Sequence, residues 1–544
     1  MSRDVGRYQI EDEALNRDAF GILYAGTDRE SGQPVLLKQL HADGQGASEA
    51  GPRETYRGLV HEDLVLPLDE LAAGADRFVV LPRPDGELLA DCLPRLRRGG
   101  LSGRHKLLRI VAGAARGLDQ IHRSGLVHGQ VSPAAIVAQC AAPARSSVLC
   151  FGLSHPRAGF RYLRDNPNLR YVSGEQLRGG IDRSTDIYAI GMLLYAAFAR
   201  TPPYPDDSPY DLAEQILWGE CAPFEPELDD VPAAIRPAIV PDLEAVGSVA
   251  AKALQRDPRA RYATMGELSR TLGSLSARLS PIELGTNLHR TGRHELAALV
   301  LEDAAEGPDA ARALVLLGKT CSEGLRDYER GLVAYRRALR ENPELVIARE
   351  GLVAHYARFG HLALAKREML ELLKTASDDI GLNMRYGDIL RQDGDADAAL
   401  NVYRHVADLN PYHLPAHARA IAVEMDRGDL ESAEARCLRA LDTIQTVVGK
   451  GNLGARDVAD IYCLRAGILR RKALPDRAIA WAEKAVATFP GHEDSHALLA
   501  ELYLESGDGE RAVEHLLSAL SLASDAKKTL ERLARLMDRA GSPS

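Results

Sequence analysis

Gly125-Leu126-Val127-His128-Gly129-Gln130-Val131-Ser132-Pro133-Ala134-Ala135-Ile136-Val137, residues 125–137, is a short polar loop that opens into an apolar run, and patterned segments frame it on both sides. Just before it, residues 105–125 read HKLLRIVAGAARGLDQIHRSG. There Leu107, Ile110, Val111, Ala114, Leu118 and Ile121 share one helical face. Beyond it come CFG at 150–152, YVSGEQLRGG at 171–180, DRSTDIYAIGMLLYAAFARTPPY at 182–204 and RDPRARYATMGEL at 256–268. Upstream lie short β-like runs: RYQI at 7–10, FGILYAGTD at 20–28, PVLLKQL at 34–40, VLPLDEL at 65–71 and DRFVVLP at 76–82. Turn residues such as Glu30 to Gln33 separate them. A strand-rich lobe followed by a helical lobe is an α+β arrangement.

From about Pro281 the grammar changes and a unit recurs. One turn position reads Gly292, Gly324, Gly360, Gly394, Gly428, Ala473 and Gly507, most steps being 34 residues or within two of that. The longer step to Ala473 predicts an insertion around Thr446 to Arg456. Five residues on, a small residue returns: Ala297, Gly331 after a two-residue insertion, Ala365, Ala399, Ala433, Ala478 and Ala512. Pro343, Pro411 and Pro490 close units. Glycine permits the turn between antiparallel helices, small residues permit close packing, and proline stops the second helix. This unit resembles the tetratricopeptide repeat (TPR).

The first half resembles a bacterial serine/threonine protein kinase domain. In order and at kinase-like spacing stand NRDAFG (16–21) for the glycine-rich loop, VLLK (35–38) for the strand lysine, VHGQVSPAAI (127–136) for the catalytic loop, CFG for the DFG turn, SGE (173–175) for the APE turn and DIYAIG (186–191) for the helix with its anchoring Asp. The resemblance implies a bilobal kinase-like fold followed by an all-α TPR superhelix. The expected division is a kinase-like domain at 1–275, a linker at 276–281, about seven repeats over 282–526 and a capping helix and tail at 527–544.

The same resemblance shows what has changed. Gln130 stands where kinases carry the Asp that accepts the substrate proton, and Ser132 where they carry a phosphate-contacting Lys. Ala135 replaces the Asn that holds a second magnesium, and Cys150 the DFG Asp that holds the first; a thiol suits a hard cation poorly. Asn16 and Asp18 replace two loop glycines, leaving Gly21. Leu81 falls at the gatekeeper and Pro84, which has no N–H, where an adenine contact is made. Lys38 is the retained nucleotide-facing residue; the motif does not place its usual Glu partner, for which Glu49 and Glu54 are candidates. His128, Phe151, Glu175, Asp186 and Arg261 match positions that build the fold rather than the chemistry.

The expectation drawn from this is a catalytically inactive pseudokinase–TPR scaffold, not an enzyme, that needs no cofactor and binds no metal. The alternative is an atypical active kinase or phosphate-transfer enzyme with relocated residues, among them Lys38, Asp18 and Glu62, or a nucleotide-binding sensor without turnover. A protein or peptide partner is expected in the TPR groove, and a second on the kinase-like lobe. Arg349, His355, Asn383, Arg385, Asp388, His417 and Arg419, on first helices of central units, are the contact candidates.

Composition agrees with a globular chain: 544 residues, 45% hydrophobic and 26% charged. A net charge of -10 argues against general nucleic-acid binding. The seven cysteines form no CxxC pair, which fits a reducing cytoplasm rather than a zinc site or disulfide framework. No apolar run follows Met1 and the stretch Ile187 to Ala199 is too short to span a bilayer, so a cytoplasmic protein without membrane insertion is expected.

Overall fold

The computed structural model describes residues 2–18, 21–40, 51–141, 144–151, 166–205, 208–306, 309–447 and 453–522. The chain forms two compact units, Met1–Glu344 and Leu345–Ser544.

The first unit begins with a six-stranded antiparallel sheet in the order β1-β2-β3-β4-β7-β6. Its strands are β1 (Ser2–Val5), β2 (Tyr8–Asp18), β3 (Gly21–Asp28), β4 (Pro34–Leu40), β6 (Asp69–Ala73) and β7 (Asp76–Pro82). The run at 65–71 divides: β5 (Leu64–Val65) stops before Pro67, and the chain re-enters the sheet as β6. Proline has no N–H for a ladder, which explains the break. β5 instead pairs in parallel with β10 (Arg145–Leu149), in a second sheet that also holds β8 (Glu87–Leu88) and β9 (Ile136–Gln139).

The helical lobe packs around two apolar helices, Gly100–Arg123 and Arg183–Phe198. Leu107, Ile110, Leu118, Ile121, Ile190 and Leu194 are fully buried in one core. The helix Met265–Arg278 lies against the first of them and leads straight into the repeats. Residues 276–281, expected as a linker, are part of the packed structure. Leu279 is fully buried, and the Ser280 hydroxyl accepts from Glu283 N to cap the next helix. Ser102 bonds Asp303 at 2.8 Å through its hydroxyl and 2.9 Å through its amide. The first two repeats, up to Glu344, therefore belong to the same unit as the lobes.

Seven antiparallel helix pairs are present among the described residues, from Pro281–Arg290 with His294–Ala304 to Glu493–Ser506 with Gly509–Leu522. The turn residues adopt left-handed backbone at Gly292, Gly360, Gly394, Gly428 and Gly507, and also at Ala473, where φ is 57°. The second repeat departs from the expected register. Its first helix widens into a π-turn at Thr320–Leu325, and the left-handed residue is Arg326, not Gly324. The expected capping helix at 527–544 lies outside the described residues.

Candidate functional site

The cleft floor is organised by Asp186, at the start of the helix Arg183–Phe198. Its side chain is completely buried. Oδ2 accepts from His128 N at 2.9 Å and pairs with His122 Nε2 at 2.8 Å, and Oδ1 accepts from Gly129 N at 2.7 Å. Burial alone would raise its pKa. The His122 hydrogen bond, the two imidazoles and the Gly129 amide outweigh that and hold it below the ordinary carboxylate value. The His128 ring reaches Leu149 O at 2.9 Å, so one loop is pinned to both a helix and a strand. Gln176 adds a further tether, donating to Gly129 O at 2.7 Å. Lower down, Arg261 grips Glu175 with both terminal guanidinium nitrogens, at 2.6 and 3.0 Å.

The roof is arranged differently. Lys38, on β4, is 1% exposed, and its ammonium meets Asp18 Oδ2 at 2.5 Å, Gly21 O at 3.3 Å and the Phe151 ring at 5.4 Å. Asp18 Oδ1 also accepts from Gly21 N at 3.1 Å. Asp18, which stands in place of a loop glycine, is thus the counter-ion of the buried lysine, placed there because β2 and β4 flank β3. Glu54, expected as that partner, pairs with Arg57 on the surface at 3.0 Å. It falls on a helix of only five residues, Gly51–Thr55. Glu49 lies outside the described residues. Glu62 faces Arg145 at the surface, 3.7 Å away, and does not line the cleft.

Gln130, Ser132, Ala135 and Phe151 line the cleft between floor and roof, with Asn166 and Asn168 from the segment before the helix Gly174–Leu177. Among the described residues lining it, Asp18 and Asp186 are the carboxylates. Cys150 is fully buried, its Sγ lies 3.7 Å from Val148 O, and burial pushes its thiol pKa far up. These residues do not fit the divalent cation that the kinase resemblance implies: Ala135 offers no ligand, and Cys150 is a neutral buried thiol. Leu81 is buried on β7 and Pro84 half-buried just beyond it, while the neighbouring Arg83 N–H donates to Pro34 O at 3.1 Å.

In the second unit, first helices of successive repeats line a groove, through residues that include Asp388, Arg391, Arg419, Leu464 and Asp494. Of the contact candidates, only Asp388 and Arg419 lie there, and they bind each other at 2.7 Å. Asp388 also accepts from Tyr403 Oη at 2.7 Å. Asn383 and His417, two of the partner-contact candidates, are buried. Asn383 donates to Ser377 O and Asp379 O, and His417 reaches Pro411 O. His496 repeats the motif on Pro490 O. In these three helices the position ties the helix start to the turn before it. Arg349 bonds Glu368, Arg385 bonds Glu350, and His355 packs on Phe359.

Family models for the tetratricopeptide repeat match residues 380–413 and 474–539. Over 267 residues, 47% of this chain, the serine/threonine-protein kinase PknB of Mycobacterium leprae is 29% identical. A probable serine/threonine-protein kinase of Streptomyces coelicolor is 27% identical over 48% of this chain. The chain is a kinase-like region followed by tetratricopeptide repeats. It spans 38% and 39% of the length of those two relatives. A crystal structure of Rad53 with AMP-PNP overlaps 49% of this chain and 64% of its own, at 19% identity and a TM-score of 0.38.

These relatives correct one expectation. The kinase-like region was expected not to be an enzyme, yet the proteins it matches are named serine/threonine protein kinases, and that likeness stands against the expectation. The physical reason is that phosphoryl transfer consists largely of positioning and charge neutralisation. Substitution at Gln130, Ser132, Ala135 and Cys150 removes particular groups without removing every charged group from the cleft. Among the described residues, no helix is long and apolar enough to cross a membrane.

Proposed function

We propose that the chain is an atypical kinase-type phosphate-transfer protein whose tetratricopeptide repeats dock its protein partner. The observation that carries this reading is the Lys38–Asp18 pair: a buried cation at the strand-lysine position, with a carboxylate beside it on the cleft roof. Asp186 is committed to the loop it anchors, which leaves Asp18 as the other cleft-lining carboxylate among the described residues. In this reading Lys38 offsets phosphate charge and Asp18 orients the attacking hydroxyl. The repeats supply the partner surface, as such repeats generally do, and the charged groove through Asp388, Arg391 and Asp494 is the proposed docking face.

The test is transfer from γ-labelled ATP by the full-length protein, with magnesium, with manganese and with chelator. Label is expected on the chain or on a captured partner, lost in Lys38→Ala and reduced at least tenfold in Asp18→Asn. Wild-type incorporation no greater than that of Lys38→Ala overturns the proposal.

A further inference from the structure

Outside the cleft, one cluster of reactive side chains joins elements distant in the chain. Cys92 lies in the helix Leu89–Arg97, which follows β8, and Cys140 comes directly after β9. β8 and β9 pair antiparallel, Glu87 opposite Ala138 and Leu88 opposite Val137. Cys140 leaves that ladder at its Glu87 end and Cys92 follows from its Leu88 end; the helix Leu89–Arg97 packs back against β8 and β9 and brings the two together. Their Sγ atoms and a Glu87 carboxylate oxygen all lie within 4.8 Å of one another. Arg95, one turn beyond Cys92, bonds Glu87 at 2.5 Å. Cys92 is fully buried, Cys140 is half-buried and reachable, and all seven cysteines are free.

We propose that Cys92 and Cys140 form an oxidant-responsive dithiol in which Cys140 attacks a hydroperoxide and Cys92 resolves the product to a disulfide. A thiolate is the nucleophile in such chemistry, and a neighbouring S–H donor and cation favour it. Cys92, whose Sγ lies 3.7 Å from Leu89 O, is the neighbouring thiol; it and then the Arg95 guanidinium lower the pKa of Cys140 against burial and Glu87, while Cys140 and burial raise that of Cys92. The Cys140 thiolate attacks one peroxide oxygen, the O–O bond breaks, and the other oxygen leaves as hydroxide. The sulfur of Cys92 then attacks the Cys140 sulfenic acid. An S–S bond forms, the S–O bond breaks, and water leaves with the Cys92 proton. Two electrons pass from the sulfurs to the peroxide.

A metal ion is the competing occupant of Cys92, Cys140 and Glu87. It would have to displace Arg95 from Glu87 and sit beside that cation, which is why the geometry favours oxidation. The consequence reaches the cleft, because β9 continues directly from the loop that Asp186 holds. A bridge to Cys92 ties that strand to the helix after β8. Cys150 and Cys437, buried singly with thiols pushed up by burial, are built to be inert.

The experiment titrates the reduced full-length protein with hydrogen peroxide, blocks residual thiols and maps peptides without reduction. A Cys92–Cys140 linkage is expected first, before any product at Cys150, Cys321 or Cys437, and dithiothreitol should reverse it. Cys92→Ser should leave a dimedone-reactive sulfenic acid on Cys140, and Cys140→Ser should abolish both products. Arg95→Gln, which spares both sulfurs, should slow the reaction several-fold. Oxidation of Cys140 no faster than that of half-buried Cys463 overturns the proposal. So does one equivalent of zinc on the purified protein that Cys92→Ser releases.

Discussion

The floor and roof of the cleft each hold a fully buried charge, and they solve that problem in opposite ways. Asp186 receives three donors, two of them backbone amides of the loop it organises. Among the described residues, Lys38 has one charged partner, Asp18, on the neighbouring hairpin, and one carbonyl. The first arrangement makes a charge part of the scaffold; several independent contacts fix it. The second makes a charge conditional on a single residue of the roof. A buried ion is tolerated only while its partners remain, so the number of partners measures how readily each site can rearrange.

The largest effect is therefore expected at the floor. Asp186→Ala leaves the His128 and Gly129 amides buried without an acceptor and removes the partner of His122. Loss of one member of a buried charged cluster costs about 3–5 kcal/mol. Urea unfolding of the full-length protein should show the midpoint of the kinase-like transition falling accordingly, or no such transition at all. A loss below about 1 kcal/mol would mean that the loop is held by other contacts, Gln176 first among them, and would remove the contrast between floor and roof.

A smaller, pH-dependent effect is expected at the roof. Burial lowers the Lys38 pKa below the ordinary 10.5, and Asp18 opposes that shift. The folded state therefore holds this proton less tightly than the unfolded chain. Stability contributed by Lys38 rises with pH through the interval between its lowered pKa and the ordinary value. Asp18→Asn removes the opposing charge, lowers the folded pKa further and extends the interval downward. At neutral pH the variant should lose about 1.5–3 kcal/mol, and that loss should shrink as the solution becomes alkaline. Denaturant midpoints of wild type, Asp18→Asn and Lys38→Met across that range measure it. In Lys38→Met the rise should be absent.

The floor was legible in the sequence because its residues sit inside ordered motifs. His128, Glu175, Asp186 and Arg261 each occupy a recognisable segment, and the spacing of those segments brings them together. The roof was not, because the partner of Lys38 lies two strands away in a loop read for its missing glycines. Asp18 was named beside Lys38 only as a relocated residue, while the counter-ion itself was sought after Lys38 in the chain. The hairpin β2–β3, itself visible as alternating runs, carried the signal. The helix pairs were legible from the turn period, including the unit that closes on Ala473 in place of glycine. The second unit was not: its turn was expected at Gly324, and the left-handed residue is Arg326. The contact residues of the repeats were less so: Asn383 and His417 carry polar side chains on a helix, and only the turn before each shows that these are tethers rather than exposed contacts. Cys92 and Cys140 share no motif and meet only because the helix Leu89–Arg97 packs back on the β8–β9 ladder.

The smallest effect expected is at Glu54, and it discriminates between partners of Lys38. Glu54 pairs with Arg57 in an i,i+3 contact whose side chains are 56% and 78% exposed. Solvent screens such a pair, and the entropy of holding two long side chains offsets much of its attraction, so its net worth is below about 0.5 kcal/mol. Glu54→Gln should leave the denaturant midpoint nearly unchanged and leave the alkaline rise attributed to Lys38 intact. The comparison rests on that second readout, since a stability change alone would not say which lysine had been affected. If Glu54→Gln instead reproduced the profile of Asp18→Asn, Lys38 would be drawing on a second carboxylate. The roof would then be multiply held, like the floor, and the conditional character assigned to its buried charge would fail.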